Sequence, residues 1–278
     1  ERGMQVTVVE AMPDIVPFLP EAMRKRVLAE AAEHDVEIRL GAQVQRVKPG
    51  PSGLVLSTAT GDIETDVVLV SVGVRPNAAL AKEAGLELAP SGAIAVDAQL
   101  RTSAPDVYAA GDCADAEHGV SGKSVWIPLA LRANRAGKLA GRAMTGADIR
   151  APPVVGTAVF KFFSLEIART GLSEKEAREA NYDVAAAHIE GITRAHYYPG
   201  RGKLSVMLLG DRKTRKLLGG AMVGPESAAH RIDTVATALH AGMTVDDFQS
   251  MDLAYAPPFG PAWSPLLIAA SKLAKSMQ

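Results

Sequence analysis

Apolar positions in this chain follow two spacings. Residues 4–10, Met-Gln-Val-Thr-Val-Val-Glu, are β-branched and nearly continuous, the pattern of a strand buried in a parallel sheet. Pro20-Glu21 opens a helix over about residues 21–34, with Ala22, Val27, Leu28 and Ala31 on one face. Residues 36–40 read as the next strand. Residues 43–48, 54–59 and 62–65 alternate, separated by Pro-Gly-Pro-Ser-Gly and Thr-Gly-Asp turns, and predict a small antiparallel meander. Residues 66–72 are a further apolar run, read as a buried strand that stops at Gly73. Strands alternating with helices around a meander predict a doubly wound α/β sheet.

Residues 77–146 form a second unit with a helix near 129–144, and Ala151-Pro152-Pro153 reads as a linker. The pattern then changes. Strands are predicted near 156–163, 184–190, 203–209 and 217–223, mixed with three helices. Ser173 with Glu176, and Thr244 with Asp247, have the spacing of capping boxes. Ala229, Ile232, Val235, Ala236 and Leu239 fall on one helical face. This last part reads as an α+β domain.

The 278 residues are 47% hydrophobic with a mean hydropathy of +0.08, enough for a sizeable core. A net charge of −1 and 5% aromatics favour neither nucleic acid nor an anionic membrane as partner. No apolar run is long enough to span a membrane, and no charged-then-apolar leader precedes the first strand. Cys113 is the sole cysteine, which excludes an internal disulfide framework and a Cys-rich metal centre and fits a reducing, cytoplasmic setting. The histidines lack ligand spacing, so no metal site is expected. The chain opens within a strand, from which an N-terminal truncation is expected.

Candidate chemistry gathers in a few strings. Residues 107–110 are a short apolar run ending in Gly111-Asp112, read as a buried strand that stops in a glycine turn with a carboxylate at its mouth. By residue type alone, Asp112 also suits a helix N-cap. Glu10 ends the first strand, where an acidic residue can accept hydrogen bonds from ribose hydroxyls; on position alone it reads as a solvated strand end. Gly73 precedes Val74-Arg75-Pro76-Asn77. Trp126-Ile127-Pro128-Leu129 leads into a helix whose small residues Ala133, Ala136, Gly137, Ala140 and Gly141 suit close packing, its positive end open to an anion. His196-Tyr197-Tyr198-Pro199-Gly200 and the string 253–261 carry phenols able to donate protons or hydrogen bonds. From physics alone these tyrosines read as core or interface packing.

Taken together, these strings resemble the FAD-dependent pyridine nucleotide-disulfide reductases, in the branch of the coenzyme A-disulfide reductases and NADH oxidases. The resemblance implies a partial, doubly wound (Rossmann-like) FAD/NAD-binding part followed by an α+β dimerisation domain: NAD-binding in 1–76, the returning FAD-binding segment in 77–150, and dimerisation in 151–278. It implies that Gly111 and Asp112 close over the ribityl chain of FAD, with Pro128, Leu129 and Ala133 beside the flavin. Glu10 and Gly73 would contact a nicotinamide cofactor, with NADH preferred over NADPH. Tyr197 or Tyr198, and Tyr255, would reach across a homodimer axis toward the partner's flavin and active cysteine, and Pro257, Pro258 and Phe259 would line that pocket. The implied reaction passes a hydride from NADH through FAD to a disulfide such as coenzyme A disulfide, to a peroxide or to oxygen. The family's N-terminal flavin turn, Gly-rich NAD turn and active cysteine are not in these residues. From these residues alone, weak or no FAD binding and no turnover are therefore expected, and the competing class is a non-catalytic, dimerising fragment.

Overall fold

The chain begins with β1 (Val6–Val9), α1 (Glu21–Glu33) and β2 (Val36–Arg39) in a computed structural model that describes residues 3–278. β1 and β2 pair in parallel with Val6 opposite Val36. α1 follows Pro20 and buries Met23, Val27, Glu30 and Ala31, an i, i+4, i+7, i+8 stripe. Ala22, expected on that face, is exposed, and Leu28 is only half-buried. β3 (Val44–Pro49), β4 (Leu54–Thr58) and β5 (Gly61–Thr65) form the expected antiparallel meander. Residues up to Gly73, together with 161–165, make one compact unit. Within it the Ser164 amide donates to the buried Glu30 carboxylate at 2.7 Å, and Phe163 stacks on His34 at 3.9 Å.

Two strand expectations fail in this unit. β1 is not buried: Val6 and Val8 keep 43% and 38% of their surface. Residues 66–72 form no strand, and Leu69 and Val72 are each 88% exposed. The cause is the same. Apolar sequence supplies strand propensity, but a ladder needs a neighbouring backbone. Among the described residues, β1 has one neighbour, β2, and the run 66–72 has none.

The second unit comprises 74–160 and 166–278. Its first part carries α2 (Ala79–Glu83), the short pair β6 (Ala116–Glu117) and β7 (Ser124–Val125), and α3 (Ala130–Met144). The buried strand expected at 107–110 is instead a single antiparallel bridge, Arg101 to Tyr108, with Val107 exposed. Four apolar residues met only the short stretch 100–102. α3 starts two residues after Pro128, so the proline precedes the helix. Ala136 and Ala140 are buried on it, but a Cβ at Gly137 or Gly141 would meet nothing within 4 Å. Close packing therefore does not explain those two glycines here.

The rest follows as β8 (Ala158–Phe162), β9 (Leu165–Gly171), α4 (Glu174–Glu179), β10 (Val184–Ile192), β11 (Lys203–Asp211), β12 (Leu217–Gly224), α5 (Ala228–His240), α6 (Val245–Gln249) and α7 (Pro265–Ser276). The five strands form one sheet in the order β10-β11-β12-β9-β8, antiparallel from β10 through β9. Its core joins Leu204, Val206 and Leu208 of β11 to Ile232 and Val235 of α5, Phe248 of α6 and Leu266 and Leu273 of α7. Both predicted capping boxes form, at Ser173 with Glu176 and at Thr244 with Asp247. Four helices stand here rather than three, and β9 is additional. α7 carried a readable signal: Ser264-Pro265 at its start, then Leu266, Ala269, Ala270, Leu273 and Ala274 along one face.

Candidate functional site

The predicted site residues fall into three groups. In the first unit, Glu10 directly follows β1. Its backbone pairs with Arg39 and Ala42, and its carboxylate accepts the Met12 amide at 2.8 Å through one oxygen. Gly73 is exposed with φ +90°, a conformation that favours glycine.

The second group surrounds the Gly111-Asp112 turn. Gly111 has φ +92°, and a Cβ there would meet open space. Asp112 is exposed and caps no helix; residues 111–113 are a turn. Two side chains for which the sequence suggested no such role hold this turn in place. Arg132, buried on α3, donates to the Gly111 carbonyl at 2.8 Å and to the Asp115 carbonyl. Trp126 Nε1 donates to the Asp112 carbonyl at 2.7 Å. Burial pulls the Arg132 guanidinium below its ordinary pKa, an effect countered by Asp115 and Asp112. Asp115 is itself buried and accepts from the Val96 amide at 3.0 Å and from Ser124 Oγ at 2.5 Å. The signal available for Arg132 was its spacing: it lies one turn before Ala136 and two before Ala140, a charge on an otherwise apolar stripe.

Pro128 and Leu129 lead into α3, whose N-cap Leu129 offers no side-chain acceptor, so its first-turn N–H groups stay open. Ala133 is half-buried on the next turn. A cavity of roughly 680 Å³ borders this face, lined by Val96, Leu100, Asp115, Leu129, Arg132 and Ala136 among others. Cys113 donates to the Ala110 carbonyl at 3.4 Å, a packed role rather than an exposed thiol.

The third group sits on two loops of the second unit. The Ala195 amide donates to the Pro257 carbonyl at 3.0 Å, and this bond ties loop 193–202 to loop 250–264. The result places Tyr197 Oη 3.4 Å from Tyr255 Oη. Both phenols are exposed, at 64% and 49%. The hydrogen bond to Tyr197 pushes the Tyr255 pKa up, so Tyr255 stays protonated. At Tyr198 the Arg194 guanidinium lies over the ring at 6.0 Å. Pro258 is half-buried, whereas Phe259 is 77% exposed on the same loop. Among the described residues no group of His, Cys, Asp or Glu could hold a metal ion, and no helix is long and apolar enough to cross a membrane.

The family profile of the pyridine nucleotide-disulphide oxidoreductases matches residues 1–137, and the dimerisation-domain profile of the same family matches residues 157–266. The chain belongs to the pyridine nucleotide-disulphide oxidoreductase family. It is 38% identical over 272 residues to an NAD(P)H coenzyme A polysulfide/persulfide reductase of Pyrococcus horikoshii, covering 98% of this chain and 59% of that protein. It is 31% identical over 278 residues to an NADH oxidase of Methanocaldococcus jannaschii, covering 99% of this chain and 61% of that protein. Among solved structures, a NAD-dependent persulfide reductase from A. fulgidus superposes with a TM-score of 0.93 at 34% identity, over 98% of this chain and 51% of that one. The chain thus spans about three-fifths of the length of these curated relatives. Membership bears out the expected fold class, a Rossmann-like α/β part followed by an α+β dimerisation domain.

Proposed function

We propose that this chain is part of a homodimeric flavoprotein that reduces a disulfide, such as coenzyme A disulfide, with electrons from NADH by way of FAD. The observation that carries this reading is the Tyr197–Tyr255 pair. Two phenols, 58 residues apart in sequence, meet on an exposed surface, and Phe259, on the same loop as Tyr255, is uncovered too. Such a pair has little to contribute to this chain's own core and suits a neighbouring reactive sulfur or oxygen.

The residues fit FAD at the second group. Gly111 leaves open space where a Cβ would stand, Asp112 offers an exposed carboxylate to ribityl hydroxyls, and the first turn of α3 offers unpaired N–H groups. FAD, when bound, supplies the two-electron chemistry between nicotinamide and acceptor. The chain's own residues do the rest. Arg132 and Trp126 fix the turn, while Pro128, Leu129 and Ala133 bound the ring's side. Glu10 accepts from a ribose hydroxyl through its second oxygen and repels a 2′-phosphate, which favours NADH; Gly73 lets the cofactor approach the backbone. Tyr255, with Tyr197 or Tyr198, donates hydrogen bonds to the acceptor across the two-fold axis, and Pro258 and Phe259 exclude water there. In this reading 1–76 bind NADH, 77–150 return to the FAD site and 151–278 dimerise. The single, packed cysteine suits a reducing, cytoplasmic setting.

The test is made on the protein that carries this chain. A flavin absorption band that NADH bleaches and coenzyme A disulfide restores is expected. Tyr255→Phe should lower kcat on the disulfide by about 10²-fold while leaving the bleaching intact. Absence of flavin, or a Tyr255→Phe variant as fast as the parent, overturns the reading. The NADH oxidase relative supports a second one, in which oxygen rather than a disulfide restores the band.

A further inference from the structure

A second cavity, roughly 550 Å³, lies in the antiparallel domain, and its lining includes Glu166, Glu226, Ser227, Arg231, Phe259 and Ser264. Two of these lining residues carry a buried, unpartnered polar atom: Arg231 at Nε and Ser264 at Oγ. Ser264 as a whole is only 8% exposed. Buried donors are paired in most folds, and a guanidinium cannot shed its charge to escape the cost. Arg231 donates through Nη2 to the Phe259 carbonyl at 2.6 Å, which leaves Nε unmatched. Two helices also begin at this cavity, α5 after Ser227 and α7 after Ser264, and neither serine caps its helix through its side chain. Helix N-termini of this length favour negative charge.

We propose that this cavity binds a small monocarboxylate, held between the Arg231 Nε–H and the Ser264 hydroxyl. The charges around it select a single negative charge. Glu226 is held by Arg194 through two bonds of 2.9 and 2.8 Å, and Glu166 accepts the Ala229 amide at 2.9 Å. Arg231 is therefore left without a paired carboxylate, while the two carboxylates oppose a dianion such as phosphate. Leu253 and Leu266 line the same space and accept a short alkyl tail. Burial lowers the Arg231 pKa against the pull of Glu226. This site uses none of the residues assigned to redox chemistry except Phe259, whose backbone carbonyl alone is involved.

The test follows melting temperature against sodium acetate or propionate at constant ionic strength, with chloride and inorganic phosphate as comparisons. Acetate and propionate should raise it saturably. At one hundred times Kd the folded-to-unfolded ratio rises about 100-fold. Ser264→Asp places a carboxylate in the cavity, so it should raise the melting temperature without ligand and abolish the acetate response. Arg231→Gln should abolish the response as well. Should that variant fail to fold, since Arg231 also holds Phe259, Ser264→Asp decides alone, together with saturation transfer from protein to acetate. Acetate acting no differently from chloride, phosphate binding more tightly than acetate, or an undiminished acetate response in Ser264→Asp would each overturn the proposal.

Discussion

The unit that ends at Gly73 and the antiparallel domain after residue 157 both rest on β-branched and leucine-rich strands, yet they bury them differently. In the first, β1 has one paired neighbour and the run 66–72 has none. In the second, β11 and β12 are hydrogen-bonded on both edges, and all eight residues of β12 are buried. α5 lies against β12, and α7 against β10 and β11. The contrast separates two properties that one hydropathy pattern merges. An apolar run states what a strand would gain by burial; only flanking backbone and covering helices deliver it.

The sharpest way to break this contrast is a pair of truncations. Leu208→Ala, at a fully buried position of β11, should cost about 2–5 kcal/mol in chemical denaturation. Val72→Ala, with its side chain in solvent, should stay within about 0.5 kcal/mol. Equal effects would mean that the run 66–72 is covered in solution.

Two glycines give a smaller but cleaner comparison. Gly171 has φ +69°, and a Cβ there would collide with the Leu218 carbonyl oxygen of the neighbouring strand. Gly171→Ala should cost about 1–3 kcal/mol from overpacking, besides its backbone strain. Gly73→Ala has open space around it, so backbone strain alone, about 1 kcal/mol, is expected. Thermal melts of the two variants measure the difference.

Glu30→Ala asks whether the first unit has a specific core contact. It strands the Ser164 amide and should cost about 1–3 kcal/mol. Faster amide exchange at Ser164 would show the loss locally.

The smallest effect is electrostatic. Burial raises the pKa of Asp211, but hydrogen bonds from Thr214 and the Asp183 amide outweigh it and leave the carboxyl below its ordinary value. A depressed carboxyl contributes stability that is present above the unfolded pKa, about 3.9, and is lost as pH falls through the folded value. Stability should therefore fall in acid below about pH 4, and Asp211→Asn should flatten that slope.

Local features were legible where one short stretch contains every partner. The capping boxes at Ser173 and Thr244 need only residues three apart, and both form. The meander 44–65 needs only adjacent strands and tight turns, and it too forms as read. β9 was hidden because Glu166 and Arg169 interrupt its apolar run, although each finds a partner beyond its own strand: the Ala229 amide for one, Glu176 for the other. At the candidate site, the turn Gly111-Asp112 and the phenols could be singled out from their strings, but what Arg132, Trp126 and Asp115 hold could not. Each makes bonds to backbone atoms 14 to 21 residues away.

The sequence by itself determined the family, the α/β-then-α+β order, the starts of α1, α4 and α6 and the residue types available for cofactor and acceptor. Those are properties of periodicity, capping and motif, which a linear chain carries in full. Tertiary structure alone decided which strands are buried, that Tyr197 rather than Tyr198 meets Tyr255, and that Arg231 and Ser264 line one cavity with Arg231 Nε and Ser264 Oγ unpartnered. Each of these depends on where a distant backbone lies, and hydrogen bonding and burial act over a few ångströms of space rather than along the chain.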